Sequence, residues 1–419
     1  MLRSFKLWLT AAFLAQILIN VSAESVPGRR IPDRISEGGT LRWRGKPFFP
    51  IGVYNVNQNP GEYRLLAENG FNMIQGMFPG DPFAFVQSLN AALAAGIAVD
   101  VPLYISEKVK ANLANSLSTI KAARHHPAVL CWKILDEPEA NRNASVRNEV
   151  PGTFSTLKAV FPEQAFELTL CQAETMSYWS KFCDIVQIDR YPVPDKPLTD
   201  VYDFCRKAAA AKAPWQTLIF VLQCGWTPDL KTQPSFDQAR AMVYLALIGG
   251  AKGISWYSRQ EIDESRHKRT WDLTTSPLWP RMKQINREVQ SLAPPILLGE
   301  EVAGIKSSAP AVYVSCRSWQ EKLYLLVCNP SDRPVETALS LPDGIHLESV
   351  RGTGVKGHYS TDGASIRMLL EPIDSGTLVA EIEKDPGSQF QERHPITKDH
   401  PSSRFSSSSF STAVPVALR

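Results

Sequence analysis

The stretch that decides the fold runs from Val129 to Pro138 and reads VLCWKILDEP. A mostly apolar run ends at Leu135 and leads directly into Asp136, Glu137 and Pro138. Short apolar runs bounded by turn residues are typical of the buried strands of a parallel sheet. Pro138 cannot continue the strand and fixes the turn that follows it. The stretch therefore predicts a buried strand with two carboxylates at its C-terminal end.

Seven other apolar runs resemble this one, and stretches with helical spacing of apolar residues lie between them. The eight strand candidates are Phe48–Tyr54, Asn72–Met77, Ala98–Leu103, Val129–Leu135, Phe166–Leu170, Ile185–Ile188, Leu218–Leu222 and Gly253–Tyr257. The helical stretches include Pro82–Ala95, Lys108–Arg124, Val146–Phe161, Val201–Lys212 and Phe236–Ile248. Eight βα units in roughly 250 residues predict an α/β fold of the (β/α)8 TIM-barrel type. A doubly wound sheet would need a glycine-rich loop after its first strand, and none is present.

The pattern changes after Pro294 and Pro295, where short strand-like runs alternate with turn residues. These runs are Ala311–Cys316, Lys322–Val327, Thr337–Leu341, Ser365–Leu370 and Gly376–Ile382. They predict a small antiparallel β-sandwich. We divide the chain into a signal peptide (1–23), a linker (24–39), a catalytic barrel (40–295), the sandwich (296–383) and a disordered tail rich in Pro, Ser and charge (384–419).

The N-terminus has the pattern of a secretory leader. Arg3 and Lys6 precede an apolar run from Leu7 to Ile19, and small residues ending at Ala23 form a cleavage pattern. The alternative is a membrane anchor, but the run is shorter than the roughly 20 apolar residues that span a bilayer. The leader predicts a secreted or periplasmic protein with no membrane span once it is removed.

Charge excludes one class of partner. The formal net charge of the 419 residues is +3, but the leader and the last 36 residues each carry a net charge of +2, so residues 24–383 carry −1. A basic surface for nucleic acid is therefore not expected. The seven cysteines contain no CxxC pair and lie mostly in apolar runs, which predicts few disulfides, no metal and no cofactor.

The carboxylates after the fourth strand are the strongest candidates for catalysis. Catalytic groups of a TIM barrel lie where strands end and βα loops begin. A carboxylate among apolar strand-end side chains has a raised pKa, as a general acid needs, which makes Glu137 the candidate acid. The alternative is an ordinary acidic first turn of a helix.

Several motifs resemble those of clan A, a large superfamily of retaining TIM-barrel glycoside hydrolases. The run from His126 to Pro138 is similar to the fourth-strand "HP…W…(N/D)EP" signature of that superfamily, in which Glu137 occupies the acid/base position. The run from Asp184 to Pro192 resembles the sixth strand, Gly250–Tyr257 the eighth, and Leu41–Gly52 the entry into the first. The resemblance covers nearly the whole barrel. It implies a hydrolase that cuts a β-linked glycan, with a carbohydrate substrate.

The seventh strand departs from this pattern. The superfamily carries its nucleophilic glutamate there, but this chain has Gln223, and an amide cannot act as a carboxylate nucleophile. Asp189, after the sixth strand, or Glu261, after the eighth, could supply the second carboxylate. If neither does, the protein is a carbohydrate-binding pseudoenzyme on the same barrel.

Other polar and aromatic residues near strand ends are candidates for sugar binding, because sugar rings stack on aromatic groups. For Trp256 the alternative is a position in the core. Arg259, like Arg190, could recognise an acidic sugar or neutralise a carboxylate. The predicted substrate-binding residues are Tyr54, Asn55, Asp136, Tyr191, Gln223, Trp226, Trp256 and Arg259.

Overall fold

The computed structural model describes residues 30–76, 81–103, 113–140, 144–225, 232–263 and 268–382. The predicted leader, the predicted tail and Trp226 lie outside these ranges. Within them, no helix is both long and apolar enough to cross a membrane.

Eight parallel strands form the barrel predicted from the sequence. They are β3 (Ile51–Val53), β4 (Met73–Gln75), β5 (Ala98–Pro102), β6 (Val129–Asp136), β7 (Phe166–Leu170), β8 (Ile185–Arg190), β9 (Thr217–Gln223) and β10 (Ile254–Tyr257). They are preceded by a short antiparallel pair, β1 (Arg42–Trp43) and β2 (Lys46–Pro47). The ladder runs β3-β10-β9-β8-β7-β6-β5-β4, with each neighbouring pair hydrogen-bonded.

An asparagine bridges the ends of this ladder. The Ile51 N–H donates to Asn72 Oδ1 (2.7 Å), and the Asn72 Nδ2 group donates to the carbonyl of Phe49 (2.9 Å). The Asn72 N–H also donates to the carbonyl of Ile51 (3.1 Å). Asn72 therefore joins the first and second barrel strands where ladder hydrogen bonds are missing, which satisfies backbone groups that would otherwise be buried without partners.

Helices follow the strands, and the ends of the five predicted helices lie within two residues of the predicted positions, apart from Lys108, which lies outside the described residues. They are α1 (Pro60–Glu68), α2 (Pro82–Ala94), α3 (Leu113–Ala123), α4 (Ala144–Val160), α5 (Met176–Trp179), α6 (Thr199–Ala211), α7 (Phe236–Gly249) and α8 (Trp279–Leu298). Local chemistry sets several of their ends. Asn59 caps α1, Asp81 caps α2, and Ser235 with Gln238 forms a capping box on α7, which ends at the left-handed Gly250.

The helix α8 does not stop at the proline pair. It continues through Pro294 and Pro295 to Leu298, past the residue at which the sequence pattern placed the end of the barrel. The prolines remove the donors that would bond the carbonyls of Gln290 and Ser291. They lie in the last two turns, where the helix tolerates the loss and Pro295 is buried.

Two antiparallel sheets follow α8 and confirm the predicted sandwich. One contains β13 (Glu300–Glu301), β15 (Tyr313–Trp319), β16 (Lys322–Asn329), β21 (Asp374–Ile382) and β18 (Leu347–Thr353), in that order. The other contains β14 (Lys306–Ser307), β17 (Val335–Ser340), β20 (Ser365–Leu370) and β19 (His358–Thr361). A further hairpin, β11 (Gln260–Asp263) with β12 (Lys268–Asp272), follows the last barrel strand.

The helix α7 joins the barrel to the sandwich. All its residues from Ala239 to Gly249 are buried, and it contacts both β16 and β21. Leu326 and Cys328 of β16 belong to the same hydrophobic cluster as the barrel. The two parts therefore share one continuous core. All seven cysteines are free thiols, and six of them are buried.

Candidate active site

Glu137 lies directly after β6 at the C-terminal face of the barrel. Its N–H donates to the carbonyl of Thr169 on β7 (2.9 Å), which ties the turn to the sheet. Its backbone has φ 46°, in the left-handed region that non-glycine residues rarely adopt. This backbone turn, followed by the buried Pro138, leaves the Glu137 side chain half-buried at the mouth of the barrel. Such outliers concentrate at functional sites.

Asp189, the fifth residue of β8, is the direct partner of Glu137. The two carboxyl groups are hydrogen-bonded to each other, and Asp189 is only 6% exposed. Burial raises the pKa of both groups, well above the usual range for Asp189, because the charged form loses its water. The charge of Glu137 raises the pKa of Asp189 further. The pair therefore retains one proton at pH values where isolated carboxyl groups are ionised.

Two further side chains complete this corner. The Cys171 thiol hydrogen-bonds Glu137, and Glu139 accepts from the N–H groups of Cys171 (2.7 Å) and Gln172 (3.0 Å). Glu139 thus holds the start of the loop after β7 against the Glu137 turn. Neither residue was among the predicted site residues. Glu139 could have been found, because it lies two residues after Glu137 in the same DEPE run.

Glu261 lies on the other side of the mouth, in β11. Ser258 Oγ donates to Glu261 Oε1 (2.5 Å), and Asn55 Nδ2 donates to the same oxygen (3.2 Å). The Tyr257 hydroxyl also bonds this carboxyl group. Burial and the charges of Glu261, Asp136 and Glu137 raise the pKa of Tyr257. Tyr257 therefore lies within the electrostatic reach of both groups of carboxylates.

The strand order separates these candidate partners of Glu137. The strands β6 and β8 are two apart in the ladder, whereas β6 and β10 are four apart in a barrel of eight. Asp189 is thus on the same side as Glu137 and in contact with it, and Glu261 follows the strand opposite. Asp136, beside Glu137, has a side chain that is 38% exposed and accepts from Lys133 Nζ (3.3 Å).

A buried polar network lies beneath the mouth, inside the barrel. Lys133 Nζ donates to Tyr54 Oη (2.6 Å), Thr169 Oγ1 (2.8 Å) and Gln187 Oε1 (3.0 Å). The Tyr54 hydroxyl donates to Gln187 as well. Burial raises the pKa of Tyr54 well above its ordinary value. Tyr54, predicted to bind substrate from a loop, is instead 6% exposed and fills the barrel.

One cluster in this network has the spacing of a metal site. Asp100, Cys131 and Glu167 are the group of His, Cys, Asp or Glu residues within the described ranges whose ligand atoms lie within 4.8 Å of one another. Lys133 Nζ is 3.2 Å from Glu167, and burial raises the pKa of both Asp100 and Glu167. An ammonium group and a retained proton therefore already compensate this cluster, which favours an ion-paired core over a metal centre.

Both arginines near the strand ends are committed to carboxylates. The buried Arg259 donates to Glu62 (Nε to Oε1, 2.5 Å) and to Asp272. Arg190 donates to Asp200 through Nε (3.2 Å) and Nη2 (3.1 Å). The role of Arg259 as a binder of an acidic sugar does not fit this placement, because its donors are buried in an ion-paired group.

Gln223 ends β9, the seventh strand of the barrel. Its Oε1 accepts from the Val193 N–H (3.0 Å), and its Nε2 donates to the Val193 carbonyl (2.8 Å) and to the Thr232 carbonyl (3.4 Å). Gln223 is 1% exposed. Its amide therefore holds the loop after β8 to the loop after β9 and has no free donor for a sugar.

The aromatic side chain of the eighth strand that faces the mouth is Tyr257. Trp256 is fully buried, and its Nε1 donates to Asn286 of α8 (3.2 Å), on the outside of the barrel. Successive residues of a strand point to opposite faces, so Tyr257 takes the inward position. The ring of Tyr191 stacks on that of Tyr257 at 5.5 Å. Trp226 lies outside the described residues.

No family model and no curated protein matches the chain. Among solved structures it is similar to an alpha-amylase from Geobacillus thermoleovorans in complex with acarbose, with 12% identity and a TM-score of 0.55 over 80% of this chain and 99% of that one. It is also similar to a glycoside hydrolase family 5 protein from Bacteroides vulgatus, with 15% identity and a TM-score of 0.54 over 83% of this chain and 92% of that one. A third similar structure, described as a glycoside hydrolase, has 13% identity and a TM-score of 0.57 over 84% of this chain and 97% of that one. At these identities, the similarity shows the fold.

Proposed function

We propose that the protein is a glycoside hydrolase that cleaves O-glycosidic bonds of a β-linked poly- or oligosaccharide, with Glu137 as the general acid. The observation that carries this proposal is the half-buried position of Glu137 directly after β6, beside Asp136, where burial and the charge of Asp136 raise its pKa. A general acid must hold a proton at its working pH. The descriptions of the similar structures and the motif resemblance to clan A support the same chemistry.

Glu261 is the better candidate for the second carboxylate. Paired carboxylates in retaining glycosidases lie about 5–5.5 Å apart, and those in inverting enzymes about 6.5–9.5 Å. Asp189 is in hydrogen-bond contact with Glu137, which leaves no room for an anomeric carbon between them. Glu261 follows the opposite strand and is oriented by Ser258 and Asn55. We therefore propose that Glu261 is the second carboxylate, and the configuration of the first product decides whether it acts as a nucleophile or as the base for an attacking water.

The test is hydrolysis of a panel of β-linked oligosaccharides by Glu137→Gln and Glu261→Gln. Loss of a positioned acid or base lowers the rate by about 10²–10⁴-fold. The matched control is Glu149→Gln, because Glu149 is an exposed glutamate on α4. NMR of the first-formed product anomer reads the stereochemistry. Undiminished hydrolysis by Glu137→Gln would exclude the acid role, and a retained anomer would exclude Glu261 as the base.

One observation favours a second candidate, a carbohydrate-binding protein without catalysis. The amide of Gln223 is fixed to Val193 where the superfamily carries its nucleophile. A protein of this kind would bind oligosaccharides with the same affinity before and after Glu137→Gln and release no reducing ends. Turnover by the wild-type protein would exclude it.

Export is proposed from the leader. Residues 1–23 have the signal-peptide pattern, so the mature protein is expected to begin at Glu24 in the periplasm or outside the cell. Sequencing the N-terminus of the protein recovered from the medium or periplasm tests this.

A further inference from the structure

Glu261 is presented by a hairpin and not by a barrel strand. The strands β11 and β12 form a two-stranded antiparallel sheet of their own, separate from the eight-stranded ladder of the barrel. A hairpin of two strands is only marginally stable by itself. The place of Glu261 at the mouth therefore depends on the contacts that tie this hairpin to the barrel.

The buried Arg259 lies at the base of the hairpin, directly before β11. Its Nε donates to Glu62 Oε1 (2.5 Å), and its Nη2 donates to Glu62 Oε2 (3.3 Å). Its Nη1 donates to Asp272, the last residue of β12. Glu62 belongs to α1, the helix that follows the first barrel strand. One guanidinium group therefore joins the two ends of the hairpin to the outer layer of the barrel.

The backbone of Arg259 makes a second connection between the hairpin and the barrel. Its N–H donates to the carbonyl of Tyr54 (3.0 Å), and its carbonyl accepts from the N–H of Leu273 (2.9 Å). Tyr54 directly follows β3, and the next residue, Asn55, donates to Glu261 (3.2 Å). The loop after β3 therefore contacts the hairpin both at its base and at Glu261.

The geometry of the Arg259 ion pairs is better suited to fixing a position than to adding stability. A buried ion pair is by itself weak evidence for stability, because the lost hydration of the charges offsets much of their attraction. A guanidinium group adds direction, since its donors lie in a rigid planar fork. Here the fork holds two carboxylates from different elements, Glu62 and Asp272. A flexible ammonium group at the same place would lack that planar geometry.

We propose that Arg259 is a positioning residue for Glu261, and that its two ion pairs set the place of the Glu261 carboxylate across the mouth from Glu137. Arg259 acts through the hairpin and does not contact the substrate. This inference rests on the proposed function in that Glu261 is the second carboxylate. A misplacement of about 1 Å can lower a rate about 10²-fold. Loss of the fork should therefore lower kcat and leave KM nearly unchanged.

Arg259→Lys is the first variant, because it keeps the positive charge and removes the fork. We expect kcat to fall about 10- to 100-fold on the best substrate of the oligosaccharide panel, since Glu261 is then misplaced. Arg240→Lys is the matched control. Arg240 is also a buried arginine paired with a glutamate, but it binds the sandwich, so kcat should stay at the wild-type value. A kcat for Arg259→Lys no lower than that of the control would overturn the proposal.

A double-mutant cycle separates positioning from general structural support. Arg259→Lys, Glu261→Gln and the doubly substituted protein are compared on the same substrate. If Arg259 acts through Glu261, its substitution lowers the rate no further once the carboxylate is gone, because residues that act as a unit are not additive. Two losses that multiply would show that Arg259 supports the site in another way and would contradict the positioning role.

Hydrogen exchange measures the hairpin without a substrate. In full-length Arg259→Lys, the amide hydrogens of the β11–β12 ladder should exchange faster than in the wild type, because local opening depends on local contacts. Those of the barrel strand β9 should keep their protection. Arg240→Lys should leave exchange in the hairpin unchanged. An equally protected hairpin in Arg259→Lys would mean that other contacts fix Glu261, and the proposal would fall.

The two proposals fail in different ways. Hydrolysis that depends on Glu261 but is unchanged in Arg259→Lys keeps the proposed function and removes the positioning role. A wild-type protein that hydrolyses nothing in the oligosaccharide panel loses the proposed function. Faster exchange of its hairpin in Arg259→Lys would still support Arg259 as the residue that places Glu261.

Discussion

The carboxyl groups of Glu137 and Asp189 are hydrogen-bonded to each other at the mouth of the barrel, although the two residues come from strands that are not neighbours. Thr169 of the intervening strand β7 and Cys171, which directly follows it, both hydrogen-bond Glu137. The contact gives Asp189 a role in positioning Glu137, and the raised pKa of Asp189 keeps one proton within the pair.

Asp136→Asn should move the alkaline limb of the pH–rate profile to lower pH. The charge of Asp136 raises the pKa of Glu137, and asparagine removes that charge while it keeps an acceptor for Lys133. The pKa of Glu137 therefore falls toward its ordinary value, and the acid loses its proton at lower pH. The measurement is kcat/KM against pH for the variant and the wild type, because that ratio follows the free enzyme. A uniform fall in rate with an unmoved limb would indicate a merely structural role.

Asp189→Asn should stabilise the fold at neutral and alkaline pH. The pKa of Asp189 is raised in the folded state, so between its unfolded and folded pKa values the native protein binds more protons than the unfolded chain. Wild-type stability is therefore lost as the pH rises through the folded pKa. Urea unfolding at pH 5 and pH 8 should show a smaller loss for Asp189→Asn. An equal loss in both proteins would argue against the buried proton.

Gln223→Glu should destabilise the protein and should not create a retaining glycosidase. A carboxylate cannot donate to the carbonyls of Val193 and Thr232, and it would bury a charge where the amide is satisfied. Leaving such groups unpaired costs about 1–3 kcal/mol. Urea unfolding and assays of the oligosaccharide panel measure both effects. Gln223→Met is the control for lost hydrogen bonds without added charge. Retaining hydrolysis in Gln223→Glu would contradict this prediction.

Arg240→Ala should weaken the junction between the barrel and the sandwich. Arg240, 4% exposed on α7, donates to Glu288 of α8 (Nη2 to Oε1, 2.5 Å), to the Gly354 carbonyl (3.0 Å) and to the Ser375 carbonyl. Removing one partner of a buried ion pair costs about 3–5 kcal/mol. Urea unfolding measures the loss, and the exposed Arg206→Ala serves as the control. A change no larger than that of the control would show that the pair contributes little.

Much of the fold could be predicted because apolar runs directly report buried strands. Phe166–Leu170 and Ser365–Leu370 have the bounds that the sequence pattern predicts. The strands Leu347–Thr353 and His358–Thr361 were missed. They are mostly exposed and lie at the edges of their sheets, so they carry little apolar signal. The helix α8 was predicted to break at its prolines because propensity alone cannot show that burial retains them.

The site was only partly predictable. Strand ends meet at one face of a barrel, and this rule placed Asp189 near Glu137 from sequence alone. The direction in which each side chain points is harder to predict. Neighbours such as Trp256 and Tyr257 point to opposite faces of the strand, and a register error of one residue would exchange the inward and outward positions. One partner of Arg259 is Glu62, 197 residues away, and the network around Tyr54 also joins distant strands. Such contacts exist only after the chain has closed into a barrel.

The helix α7 is buried between the barrel and the sandwich, so the sandwich covers a part of the barrel that would otherwise face water. If the chain were cut after α8, apolar residues of α7 and the Arg240 guanidinium would be exposed to water together. A truncated barrel is therefore expected to aggregate when expressed alone. Any β-domain that replaced this one would need a surface that matches α7. Evolutionary changes in the barrel and in the sandwich are therefore coupled, and neither part can be exchanged independently of the other.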